Sequence, residues 1–287
     1  MSLNPPTKSS TGNVDPSLFA GLAGDLTGNL SDTRPPIVLL HGLTYDRAMW
    51  TPTLTQLRRI DPDRRVLTLD LPGHGQSVEN DQWGMLPALV NVHEAVKAVG
   101  FKLPIMVGHS LSGIMATLYA AAYPTGGAVN VDASLNVEPF QLFLRSIVDQ
   151  IRGPQFADVW QGLARGFHIE RLPQAAQQLL EGSTTPRQDL FLAYQHDLLE
   201  GPLGRLPALL AMALGSVRGS GVPYLVVAGD EQPAGYVEWV ESVLPQATFA
   251  IWPDSGHFPP LAHPERFAIA LQSTEDWSPP AEHSQGP

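Results

Sequence analysis

The chain has 287 residues, of which 43% are hydrophobic, a formal net charge of −11 and no cysteine. This length predicts one α/β domain with a large core and an inserted segment, rather than two unrelated domains. The lack of cysteine excludes disulfides, thiolate metal sites and a cysteine nucleophile, and the acidic charge argues against nucleic acid and anionic membranes as partners. We therefore expect a small neutral or apolar molecule as the substrate.

Both ends of the chain are rich in proline and small polar residues, which predicts flexible segments over residues 1–16 and 273–287. The first residues lack the basic and apolar regions of a secretion signal, which favours a cytoplasmic protein. No apolar run approaches the roughly 18 to 20 residues that a membrane-spanning helix needs. The oligomeric state stays open between a monomer and a homodimer.

Between the two ends, short apolar runs alternate with amphipathic stretches. The runs predict strands at 37–40, 66–69, 105–107, 128–131, 224–227 and 247–251. The stretches between and after them predict helices at 48–60, 86–99, 112–122, 236–244 and 264–271. Because a helix fills the connections between successive strands, the sheet is expected to be mostly parallel.

The segment from about residue 135 to residue 215 contains helical patterns broken by glycine and proline, and no convincing strand. It predicts a helical lid, inserted into an α/β core made of residues 17–134 and 216–272. Its many apolar side chains predict a mostly apolar substrate pocket. The residues expected to line that pocket are His109, Phe143, Trp160 and Phe258.

The predicted strand at 105–107 is followed by Gly108-His109-Ser110-Leu111-Ser112 and then by a helix. This segment resembles the GxSxG nucleophile elbow of the α/β-hydrolases, with Ser112 in place of the second glycine. Taken alone, such a sequence is equally compatible with a glycine-rich turn without chemistry. The resemblance implies a mostly parallel central sheet flanked by helices, an inserted lid, and Ser110 as the nucleophile.

Two further segments extend the resemblance to the loops around the serine. In the family, one donor to the oxyanion comes from the residue after the nucleophile, here Leu111, and another from the loop after an HG motif, which by position is Leu43. The segment 70–77 matches a DxPGxGxS turn of the same family. We interpret His41 as a buried imidazole that bridges loop backbones, and His74 as a turn residue.

The general base is predicted to be His257, which follows the last strand in the segment Asp254-Ser255-Gly256-His257. Its carboxylate partner is less clear, because the position where most of the family carries aspartate holds Gln232. We favour Asp132, which follows the strand at 128–131. Asp230 and Glu231, after the next strand, are the alternatives.

These residues predict a serine hydrolase that cleaves a carboxylic ester or lactone of a small, mostly apolar substrate through an acyl-enzyme, without cofactor or metal. A cofactor-free dioxygenase or a C–C bond hydrolase would use the same serine and histidine and remains an alternative. A third interpretation is a ligand-binding protein that keeps the fold with little turnover.

Overall fold

The computed structural model describes residues 17–77, 83–184 and 186–277. Its strands are β1 (Ser17–Phe19), β2 (Leu22–Thr27), β3 (Ile37–Leu40), β4 (Val66–Leu69), β5 (Ile105–His109), β6 (Gly127–Val131), β7 (Tyr224–Ala228) and β8 (Ala247–Ile251). They form one sheet in the order β1-β2-β4-β3-β5-β6-β7-β8. All pairs from β4 to β8 are parallel, and β1 and β2 extend one edge antiparallel.

The helices of the described residues are α1 (Thr51–Ile60), α2 (Met85–Ala98), α3 (Leu111–Ala122), α4 (Glu138–Ser146), α5 (Val148–Arg152), α6 (Phe156–Arg165), α7 (Gln174–Ser183), α8 (Gln188–Tyr194), α9 (His196–Leu199), α10 (Arg205–Ser220), α11 (Tyr236–Val243), α12 (Pro259–Ala262) and α13 (Pro264–Gln272). Three short 3-10 helices lie at Arg47–Trp50, Ile169–Arg171 and Ser273–Asp276. No helix in the described ranges is long and apolar enough to cross a membrane.

Both faces of the sheet are covered, which explains why its central strands are mostly apolar. Val38 and Leu40 of β3 pack into a cluster with α2 and α3, whereas Ile37 and Leu39 pack into the cluster that contains α1 and α13. Alternate residues of a strand point to opposite faces, so a strand buried on both sides is apolar at most positions. The exceptions Thr68 of β4 and Asn130 of β6 are buried with hydrogen-bond partners. The predicted α/β fold, with a mostly parallel sheet flanked by helices and a helical insertion, is confirmed.

The insertion lies between β6 and β7, where the described residues form helices α4 to α10 and no strand. The predicted end of the lid at residue 215 was wrong, because that residue lies inside α10. This helix packs along α3, and Leu214 and Val217 belong to a core cluster with β7 and α11. We therefore place the end of the lid before α10.

The ends of the α/β core differ in part from the predicted ones. The tail predicted over 273–287 was wrong for its first residues: Thr274 is buried, and the Trp277 ring packs directly against Gly127 of β6. Residues 278–287 and the predicted N-terminal segment 1–16 lie outside the described residues. The sequence also gave no indication of β1 and β2, which form a hairpin at the edge of the sheet.

Candidate active site

Ser110 occupies a sharp turn between β5 and α3. Its backbone has φ = 56° and ψ = −127°, a conformation that is rare and strained for a residue with a side chain. The turn is tight enough that a Cβ at Gly108 would lie 1.8 Å from the Ser112 carbonyl oxygen. Glycine is therefore required at 108, and the strain fixes the direction in which the Ser110 hydroxyl points.

The serine that replaces the second glycine of the motif has a partner of its own. Ser112 is fully buried, and its hydroxyl donates a hydrogen bond of 2.5 Å to the His41 carbonyl. This bond joins the elbow to the loop that follows β3. The substitution thus ties together the two loops that surround the Ser110 hydroxyl.

His257 lies on the loop between β8 and α12, and its side chain bridges Ser110 and Asp132. The Ser110 hydroxyl lies 2.8 Å from His257 Nε2, and His257 Nδ1 lies 2.6 Å from Asp132 Oδ2. Because Asp132 can only accept when ionised, Nδ1 carries the proton and Nε2 is free to accept the serine proton. This is the order of contacts that a nucleophile, its base and an orienting carboxylate need.

Asp132 follows β6 with a positive φ of 52°, and its second oxygen accepts the Gly229 amide at 2.9 Å. Burial by itself raises the pKa of the carboxyl, but the hydrogen bonds and charge of His257 and the Gly229 amide outweigh it and lower the pKa of Asp132 below its usual value. Asp132 is therefore the ionised partner that His257 contacts.

The two alternative carboxylates lie elsewhere. Asp230 is 47% exposed and pairs with Arg171 of the lid at 2.8 Å, and Glu231 is exposed. The structure thus brings Asp132, and neither alternative, to the histidine. Parallel strands end at one edge of the sheet, so both β6 and β7 deliver a carboxylate there, and the arginine from the lid draws Asp230 away.

Leu43 and Leu111, whose backbone amides the sequence suggested as donors to the oxyanion, lie beside Ser110. Both residues line the same cavity as Ser110, and neither amide hydrogen bonds to another described residue. Leu111 is the first residue of α3, where amides have no partner within the helix and the helix dipole favours negative charge.

The loop that carries Leu43 is held by two buried histidines. His41 accepts the Leu71 amide at 2.9 Å and contacts the Gly42 carbonyl at 2.8 Å, and His74 accepts the Thr44 amide at 3.1 Å. Burial lowers the pKa of His41 to about 4 and that of His74 to about 3, so both rings are neutral near pH 7. Both have the structural role that the sequence indicated.

Three of the four residues predicted to line the pocket lie outside it. His109 is fully buried behind the site, where its Nε2 donates to the His257 carbonyl at 2.7 Å. Burial lowers the pKa of His109 to about 3, and Phe258 stacks on its ring. Phe143 is 45% exposed on α4 and does not reach the cavity. Only Trp160 lines it, because the others point to the core or to the outer face of their helix.

The cavity above Ser110 has a volume of about 320 Å³. Its walls come from the loops after β3, β5 and β6 and from the lid, and no arginine or lysine is among the described residues that line it. Its lining residues are Leu43, Tyr45, Ser110, Leu111, Ile114, Asp132, Ala133, Ser134, Asn136, Val137, Phe140, Trp160, Leu163, Phe167, Phe191, Gln195, Leu198 and His257. Such a cavity admits a small, largely apolar molecule next to a serine hydroxyl.

The sequence did not reveal the role of Phe167 in supporting the histidine. Its ring stacks on the His257 imidazole with the ring centres 4.7 Å apart, and its carbonyl accepts the His257 amide at 3.0 Å. No local pattern marks this contact, because it joins the end of α6 to a loop 90 residues later. Within the described ranges, no group of three His, Asp or Glu side chains is placed to hold a metal ion.

Comparisons with known proteins agree with this geometry. The model of the family described as "Alpha/beta hydrolase family" matches residues 37–270. The chain is 30% identical over 268 residues to the 2-succinyl-6-hydroxy-2,4-cyclohexadiene-1-carboxylate synthase of Yersinia pseudotuberculosis serotype O:1b (strain IP 31758), a match that covers 88% of this chain and 92% of the relative.

Two solved structures are similar in fold. MenH from S. aureus superposes with a TM-score of 0.69 and 19% identity, over 88% of this chain and 97% of that one. The enol-lactonase from Burkholderia xenovorans LB400 superposes with a TM-score of 0.63 and 16% identity, over 88% of this chain and 95% of that one. At these identities the likeness concerns the fold alone.

Proposed function

The chain belongs to the alpha/beta hydrolase family, and from this premise we propose that it hydrolyses a carboxylic ester or lactone of a small, mostly apolar substrate. The observation that carries the proposal is the hydrogen-bonded series of Asp132, His257 and Ser110 at the floor of an apolar cavity. A serine hydroxyl with an oriented imidazole beside it is the arrangement that acyl transfer requires.

In the first half of the proposed reaction, Ser110 Oγ attacks the carbonyl carbon of the ester while His257 Nε2 takes its proton. The Asp132 carboxylate stabilises the resulting imidazolium and keeps the proton on Nδ1. The Leu43 and Leu111 amides donate to the oxygen that becomes negative, a contribution worth about 3 to 4 kcal/mol per donor in other hydrolases. His257 then protonates the departing alkoxide, which leaves an acyl group on Ser110.

In the second half, His257 removes a proton from water, and the hydroxide attacks the acyl carbonyl. The same two amides stabilise the second oxyanion, the Ser110 oxygen leaves and regains its proton from His257, and the carboxylic acid is released. For a lactone the alcohol and the acid belong to one product molecule.

The name of the Yersinia relative suggests a second reaction, the synthesis of a cyclohexadiene carboxylate. The cavity argues against it, because the described lining residues include no arginine or lysine to pair with a carboxylate. An ionised carboxylate buried without a cation loses several kcal/mol of solvation. An apolar ester makes no such demand, and the ester or lactone is therefore the proposed substrate.

The proposal is tested with a fluorophosphonate probe and with a panel of esters and lactones of graded chain length. We expect the wild-type protein to be labelled and to hydrolyse short apolar esters, and Ser110→Ala to do neither. Labelling of Ser110→Ala, or wild-type protein that binds esters without releasing acid, would contradict the proposal. Oxygen consumption by wild type without added cofactor would instead support the dioxygenase alternative.

A further inference from the structure

One polar side chain of the lid lies buried in the cavity without a protein partner. Gln195 is 7% exposed and lies in the single-residue connection between α8 and α9. Its backbone is fully used: its amide donates to the Phe191 carbonyl, and its carbonyl accepts the Leu198 and Leu199 amides. Its side chain caps neither helix and makes no hydrogen bond to another described residue.

The side-chain amide of Gln195 is not among the solvent-excluded unpaired atoms, so it faces the open cavity, where water can pair with it. A substrate that displaces this water without offering a partner leaves the amide unpaired, which costs about 1 to 3 kcal/mol. Its neighbours on this wall are apolar, with Phe191 and Leu198 on the adjoining helical turns and Trp160 nearby in the lining. A leucine would fill the same position without a penalty. Ser134 and Asn136 also line the cavity but are exposed, so Gln195 is the one buried side-chain amide among the described lining residues.

Two other buried polar side chains of this region make hydrogen bonds within the protein. Gln141 of α4, which is fully buried and does not line the cavity, donates through its side-chain amide nitrogen to the Leu198 carbonyl at 3.1 Å, although its Oε1 has no partner among the described residues. Tyr45, which also lines the cavity, makes a hydrogen bond through its hydroxyl to Thr184. Gln195 differs from both because its amide points into the space that the substrate would fill.

We propose that Gln195 is a specificity-determining residue that hydrogen bonds an uncharged carbonyl or hydroxyl oxygen of the substrate, away from the ester that is cleaved. This inference rests on the proposed ester or lactone hydrolysis and narrows its substrate class. The substrate is then an ester or lactone whose apolar body carries a second oxygen function. A neutral amide suits such a group because it offers both a donor and an acceptor and introduces no charge.

The test compares matched pairs of esters on wild type, Gln195→Leu and Gln195→Met. In one series, para-nitrophenyl hexanoate is compared with oxohexanoates that carry one keto group at successive positions of the acyl chain. In the other, hexyl acetate is compared with its oxohexyl counterparts. Gln161→Leu is the control, because Gln161 is exposed on α6 and lies outside the cavity.

We expect wild type and Gln161→Leu to favour at least one oxo ester over its plain counterpart by about tenfold or more in kcat/KM, since a missing partner leaves a buried amide unpaired. Both Gln195 variants should lose this preference through a higher KM for the oxo ester, while plain esters are cleaved as fast or faster. The inference is wrong if wild type favours no oxo ester, or if Gln195→Leu and Gln195→Met slow both members of a pair equally.

If the proposed hydrolysis itself is wrong, wild type will neither cleave the plain esters nor be labelled by the fluorophosphonate. That outcome is therefore distinguishable from a wrong role for Gln195. The role of Gln195 is then decided by binding of the same pairs to Ser110→Ala, followed through the fluorescence of Trp160 with Trp160→Phe as the blank. A lower Kd for the oxo compound that is lost in Ser110→Ala/Gln195→Leu supports the inference. Equal Kd values for each pair overturn it.

Discussion

Gly229 is the position at which a single methyl group should disable the site most selectively. It follows β7, and its amide donates to Asp132 while its Cα faces the loop that carries His257. A Cβ at Gly229 would lie 1.7 Å from the Gly256 carbonyl oxygen, and real Cβ atoms stay at least 3.0 Å away, so the loop must move by about 1.3 Å. The φ of Gly229 is not in the left-handed region, so alanine at this position would be disfavoured by the contact with Gly256 and not by backbone strain.

A movement of this size at Gly256 carries the next residue with it and breaks the 2.8 Å contact between Ser110 and His257. Misplacement of a catalytic group by about 1 Å costs on the order of 100-fold in rate. We therefore expect Gly229→Ala to lower kcat/KM for a short ester, and the rate of fluorophosphonate labelling, by about that factor. Gly219→Ala is the matched control, since a Cβ on that residue of α10 has no heavy atom within 4 Å.

Both variants are assayed as folded protein, with circular dichroism used to follow unfolding, so that a loss of fold is distinguished from a loss of geometry. Gly219→Ala should keep wild-type kinetics and should not lower the unfolding free energy, because alanine favours the helical conformation over glycine. Activity of folded Gly229→Ala within threefold of wild type would refute the reasoning that the histidine loop is held at this contact.

Three further outcomes are expected. Asp132→Asn should lower kcat by about 10³ to 10⁴, because the tautomer of His257 is no longer fixed. Asp230→Asn should leave kcat unchanged, and equal effects of the two substitutions in steady-state assays would contradict Asp132 as the acid. Ser112→Gly should reduce the unfolding free energy by about 1 kcal/mol in urea titrations, since it loses one buried hydrogen bond, and no change would mean that this bond is not formed. Burial lowers the folded-state pKa of three histidines to about 3 or 4, whereas their unfolded-state pKa is near 6.5. The three are His41, His74 and His109. Because the unfolded chain binds their protons first, the unfolding free energy is constant above pH 6.5 and falls by roughly 3 kcal/mol between pH 6 and 5. Urea titrations over this range test the slope, which exposed His196→Gln should preserve, and constant stability would contradict it.

The bounds of the central strands could be predicted closely because buried strands have mostly apolar sequences. Ile37–Leu40 is wholly apolar, and Val66–Leu69 is apolar except for Thr68, because both strands are covered on both faces; their observed bounds match the predicted ones. The edge hairpin was missed for the converse reason. Ser17–Phe19 is exposed and only three residues long, so it carries no periodicity that marks a strand.

The elements around the site could be located from the sequence, but not the directions of their side chains. Two carboxylates follow neighbouring strands, but Asp132 contacts His257 and the Gly229 amide, whereas Asp230 pairs with Arg171, 59 residues away in the sequence. His109 and Phe258 lie beside the predicted nucleophile and base, yet both point away from the cavity. Gln195 reaches the cavity only because the lid folds over the sheet, and no pattern in the helices on either side of it indicates that.

The contact between Phe167 and His257 has a consequence for anyone who exchanges lids between members of this family to alter selectivity. Because the carbonyl and ring of Phe167 support the imidazole, a transplanted lid replaces part of the machinery along with the cavity wall. A chimera that keeps residues 166–168 of this chain and borrows only the preceding helices should retain turnover, whereas one that takes the whole insertion should lose rate on every ester alike.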